Sequence, residues 1–138
     1  MLYGLLTLGA LALASAIAAA HGGSGHLDGE VTAAEKRAYR DARPVFERYC
    51  FRCHAKDGRK AKAKARAHLD MTSYPFGGHH AGEAGAVVKN ALGAGPGKGR
   101  ATMPSDDPGA VTGADLKLIL AWASAFTLAH PAPVKHGH

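Results

Sequence analysis

Cys50, Cys53 and His54 lie in the run Cys50-Phe51-Arg52-Cys53-His54, and their types and spacing specify one kind of chemistry. On a helical turn, residues three apart share a face with about 5–6 Å between them, so the two thiols can reach the two vinyl groups of one porphyrin. The adjacent imidazole is then held beside the ring, where a nitrogen can ligate iron. C-x-x-C-H is the attachment signature of a c-type haem, so one covalently bound haem c with His54 on its iron is expected. Three other readings of the pair fit less well. A dithiol redox motif belongs beside a βαβ pattern, which is not evident. A structural zinc site commonly draws on a second cysteine pair, and the chain has only two cysteines. A disulfide across so short a loop would restrict the unfolded chain little.

Iron bound by His54 on one face takes a second ligand on the other, and a methionine thioether there raises the reduction potential. Met103 suits that role, because it follows the glycine-rich run Gly93 to Gly99 and is fixed by Pro104. Met71, in the loop with Tyr74 and Phe76, and the pair His79-His80 are its rivals; the histidines would give a lower potential. The Gly93 to Gly99 run lacks the spacing of a phosphate-binding loop and precedes no strand-to-helix unit.

Residues 1–20 carry no charged side chain. Leu5 to Leu13 supply an apolar run, and Ala18-Ala19-Ala20 before His21 fits small-x-small cleavage, the pattern of an export signal cleaved near Ala20. An uncleaved anchor is the alternative, since about 20 apolar residues can cross a bilayer. Haem is attached to C-x-x-C-H proteins after export in bacteria, so both features point to the periplasm. Residues 21–31 read as a flexible leader, 32–128 as one domain, and 129–138 as a His- and Pro-rich tail. His21, His26, His130, His136 and His138 lie outside the pocket; the tail from His130 to His138 could capture copper, nickel or zinc, although a solvated tail is the commoner outcome.

The 138 residues hold 17 Lys plus Arg against 11 Asp plus Glu, a formal net charge of +6. A basic surface favours acidic partners, and export argues against nucleic acid. Much of the charge lies in Ala55 to Ala67, read as a solvated loop or exposed helical turn. Because it begins just after His54, it is also placed to rim an exposed haem edge and steer an acidic redox partner.

Positioning these residues requires helices. Thr32 to Glu35 has the form of a capping box, predicting a helix from Ala33 toward Asp41. Pro44 is expected to end it and to start a second helix that runs into the haem motif. Val45, Phe46, Tyr49 and Cys50 form a stripe on that helix. Leu69 to Gly82 reads as a loop whose Tyr74 and Phe76 line the haem pocket. Glu83 to Leu92 has helical spacing. Thr112 is expected to cap a last helix, with Val111 and Leu116 as a hydrophobic staple. Leu116, Ile119, Leu120, Ala123 and Phe126 give that helix a buried face to about Leu128, packed on the Val45 stripe, with Trp122 as a packing residue.

With its C-x-x-C-H helix, Met103-Pro104 after a glycine-rich loop and a closing helix from Leu116 to Phe126, the chain resembles the class I, single-haem bacterial cytochromes c over roughly Asp41 to Leu128. The resemblance implies an all-α fold, with three to five short helices around one haem, His54/Met103 ligation and one-electron transfer between redox proteins without enzymatic turnover. The helix from Ala33, the Lys-rich insert and the Pro75 to His80 loop depart from the family pattern. A ligand sensor or haem enzyme with an open or displaceable sixth position, and a haem-bearing subunit of a larger oxidoreductase, are the competing functions. No Ser/His/Asp constellation or paired-carboxylate motif argues for hydrolysis.

Overall fold

In the computed structural model, residues 31–97 and 99–131 are described; the residues read above as an export signal, almost all of those read as a leader and the tail beyond residue 131 lie outside them. Five α-helices follow in order: α1 (Ala33–Tyr49), α2 (Phe51–His54), α3 (Ala63–His68), α4 (Ala84–Ala91) and α5 (Gly113–Ala129), with a 3₁₀ turn at Ala81–Glu83 leading into α4. The only extended pairing among the described residues is one antiparallel bridge between Asp70 and Gly77. The all-α expectation therefore holds. No described helix is long and apolar enough to cross a membrane.

Helix α1 begins as its capping signal implies. The Thr32 hydroxyl accepts from the Glu35 amide at 3.1 Å, satisfying one of the free N–H groups of the first turn. The reciprocal half of the capping box does not form, because the Glu35 side chain is fully buried. Its Oε1 accepts from the Tyr74 hydroxyl, and its Oε2 lies 3.1 Å from His130 Nε2. Trp122 Nε1 donates to the same Tyr74 oxygen at 3.1 Å.

The expected break at Pro44 is overturned: α1 runs unbroken through it to Tyr49. Pro44 and Arg40, whose carbonyl loses its donor, are both exposed. Water can therefore satisfy that carbonyl, while Ala42, Val45 and Phe46 on the other side are buried. Packing on the apolar face thus outweighs the roughly 3 kcal/mol penalty of an interior proline. The haem-motif helix is also not a simple continuation. Cys50 closes α1 with its N–H on the Phe46 carbonyl at 2.8 Å, and the motif occupies the separate single turn α2.

The core forms where α1 and α4 pack on α5. Phe46 is the hub, edge-on to Trp122 at 4.9 Å and to Phe76 at 5.3 Å between ring centroids. Ile119, Trp122, Ala123 and Phe126 form the buried face of α5, as their spacing predicts. Thr112 stands at the N-cap of α5 but makes no side-chain capping bond; Asp115 in the first turn instead accepts from Arg48 of α1 at 2.8 Å. His130, assigned to the tail from sequence, packs its ring 4.4 Å from Phe126.

Helix α4 approaches α5 through Gly85. A Cβ there would meet the Ala123 carbonyl oxygen at 2.7 Å and Thr127 Oγ1 at 2.9 Å. Gly85→Val is therefore expected to force the two helices apart and cost about 1–3 kcal/mol, the usual range for overpacking, read as a lowered melting temperature.

Candidate functional site

The turn that carries the cysteines is held by the segment that follows it. The carbonyls of Arg52, Cys53 and His54 accept from the amides of Lys60, Lys62 and Met71 at 2.8, 3.2 and 2.9 Å. The basic run thus wraps back over α2, and from Ala63 it is helical as α3, the helical one of the two expected forms. This wrapping places the His54 ring. Its Nδ1 lies 2.9 Å from the Leu69 carbonyl, an acceptor only, so Nδ1 is the donor there and Nε2 is the nitrogen left to face a metal.

Cys50, Cys53, His54 and Met103 all line one cavity of about 530 Å³, within the range of roughly 300–1,000 Å³ typical of cofactor and small-molecule sites. Leu69, Met71, Val87, Val88 and Leu92 supply apolar wall. Both cysteines are free. Burial pushes the Cys50 thiol up to about 12, partly offset by Arg52, so it stands as a neutral thiol near neutral pH.

Met103 comes from a different part of the fold than His54. The amides of Thr102 and Met103 donate to the Ala91 carbonyl at 2.9 and 3.1 Å, which docks the methionine segment on the last turn of α4. Pro104 is buried. Met71, the rival methionine, is tied by its own amide to the His54 carbonyl and so belongs to the histidine wall. Of the rival histidines, His80 lines the cavity and His79 does not.

A charge cluster ties the two walls together. Asp106, just after Met103-Pro104, accepts from Arg52 Nη2 at 2.5 Å through one oxygen and from Lys60 Nζ at 2.8 Å through the other. The Lys60 hydrogen bond leads the effects that hold Asp106 below the usual carboxylate range. Arg52 Nε is buried without a partner, and Arg52, Lys62 and Lys64 all reach the cavity lining. The wall can therefore receive an apolar body with acidic substituents.

Tyr74 and Phe76 do not line the cavity, contrary to expectation. Tyr74 stacks on Tyr39 with 3.7 Å between ring centroids and is engaged by Glu35 and Trp122, while Phe76 is buried against Phe46. Burial first, and then the Glu35 hydrogen bond, hold the Tyr74 phenol above its ordinary range, which keeps it a donor. Met71 takes their place in the wall. The pairing of Arg52 and Asp106 went unrecognised in the sequence, because residues 54 positions apart carry no local signal of which opposite charges meet. The chain matches no protein-family model, no curated protein and no solved structure in the comparisons made with known proteins.

Proposed function

We propose that this chain is a c-type cytochrome with the class I fold, carrying single electrons between redox proteins in an exported compartment. The observation that carries the reading is the convergence of Cys50, Cys53, His54 and Met103 on one largely apolar cavity. Haem fits these residues: two free thiols, an imidazole whose Nδ1 is engaged and whose Nε2 is left over, a thioether on a separately anchored segment, and cations where acidic substituents need partners. When bound, the haem supplies one reversible electron through its iron.

The residues divide the remaining work. Cys50 and Cys53 anchor the group covalently, His54 offers Nε2, and the Leu69 carbonyl fixes the orientation of the imidazole. Met103 offers its sulfur, with the Ala91 carbonyl and Asp106 holding its segment against the wall. Leu69, Val88 and Leu92 exclude water. Lys62 and Lys64, both exposed and both in the lining, set a positive rim that attracts an acidic partner and weakens with salt.

The test is the absorption spectrum of the exported protein, oxidised and reduced, after denaturation and acid-acetone extraction. A c-type spectrum that remains with the polypeptide is the expected result. It should be lost from the protein in Cys50→Ser/Cys53→Ser. A parent protein with no covalent haem would defeat the proposal.

A further inference from the structure

His68, His79 and His80 stand apart from the four residues above and form a cluster of their own. Each offers one ring nitrogen, and these nitrogens all lie within 4.8 Å of one another. The backbone is built to bring them together. His68 ends α3, and the loop returns against that end through Gly78, whose φ of +87° is open to glycine. A Cβ at Gly78 would meet the carbonyl oxygens of His68 and Arg66 at 2.8 and 2.9 Å. The His79 amide then donates to the Ala67 carbonyl at 3.0 Å and the His80 amide to that of His68 at 3.1 Å. Ring centroids fall 4.5 Å apart for His68 and His79, and 4.2 Å for His79 and His80.

We propose that these three histidines bind a divalent transition-metal ion of the zinc or copper(II) class. Imidazole donors suit those ions rather than calcium or magnesium, and three histidines leave a fourth tetrahedral position for water or an exogenous ligand. A second contact has the form expected around a metal-binding histidine. His80 Nδ1 lies 2.5 Å from Glu83 Oε1, the carboxylate-to-imidazole pairing that fixes a ring and leaves Nε2 for the metal. Tetrahedral zinc with nitrogens at 2.0–2.1 Å needs them about 3.3 Å apart. Ring rotation of His68 and His79, both exposed, can supply that contraction. His68 and His80 also line the cavity, so the ion would sit at its rim, and nothing in this assignment depends on what the cavity holds.

Calorimetric titration of the chelator-stripped full chain with zinc sulfate near neutral pH tests the assignment, with the haem spectrum recorded on the same samples. One zinc per chain is expected. His79→Ala should weaken it by more than about 100-fold, since even outer partners of a metal ligand are worth about 10–100-fold. His136→Ala/His138→Ala should leave it unchanged. Zinc should also raise the melting temperature of the parent but not of His79→Ala, a comparison made within each protein and therefore independent of the variant's own stability. The assignment is overturned if His79→Ala binds zinc as the parent does, or if the tail substitution abolishes binding. It is also overturned if the parent binds no zinc while His79→Ala shifts the haem spectrum, which would make the histidine an iron ligand. A parent that lacks covalent haem but binds zinc through His79 would defeat the cytochrome reading alone.

Discussion

If the chain carries the proposed haem, replacing Met103 with alanine is expected to lower its reduction potential by on the order of 0.1 V and to let carbon monoxide bind the reduced protein, where the parent responds weakly or not at all. The size of the effect depends on which other side chain could take the place of Met103. Met71 is fastened by its amide to the His54 carbonyl and shares the His54 wall, so it would be poorly placed to replace Met103. Removing the Met103 thioether would withdraw a ligand that favours the ferrous state of a bound haem. The segment itself stays docked, because its bonds to Ala91 are made by backbone amides. Spectroelectrochemical titration and carbon monoxide difference spectra measure both effects. An unchanged potential in the variant would assign the ligand elsewhere, with His80 the next residue to test.

The second large effect falls on stability, far from the chemistry. Glu35→Ala is expected to cost about 3 kcal/mol or more, because removing one member of a buried polar group strands the others. Two groups lose their partner: the Tyr74 hydroxyl and the His130 ring, whose side chain is only 9% exposed. A stranded buried hydrogen-bonding group costs about 1–3 kcal/mol. Glu35→Gln keeps an acceptor oxygen for Tyr74 and should recover much of the loss. Urea denaturation of the three proteins compares the midpoints. If alanine and glutamine variants unfold together with the parent, the cluster contributes no net stability.

Glu35 also shows how far a sequence can be read. Thr32 and Glu35 correctly mark the start of α1, since capping is a matter of three residues and local geometry. The same motif misassigns the carboxyl group, whose partners lie 39 and 95 positions away. Pro44 fails for a related reason: a local rule favours a break, while tertiary burial of Ala42, Val45 and Phe46 keeps the helix whole. Tyr74 and Phe76 were recognisable as apolar anchors but not as to which apolar region they join. Cys50, Cys53, His54 and Met103, by contrast, carry their chemistry in residue type and short-range spacing. Their convergence on one cavity needs the amide bonds from Lys60, Lys62 and Met71 and the Asp106 ion cluster, none of which has a local signature.

The contact between Glu35 and His130 has a geometric consequence. It joins the first turn of α1 to the residue that follows α5, so both ends of the helical body lie side by side. Cys50 closes the opposite end of α1, 15 residues on and roughly 22 Å away at 1.5 Å per residue. A tether joined to the described body at Val31 or Pro131 would therefore pull from one pole of it. Helix α2, with Cys53 and His54, stands toward the other pole, so such a tether would leave that end of the molecule uncovered.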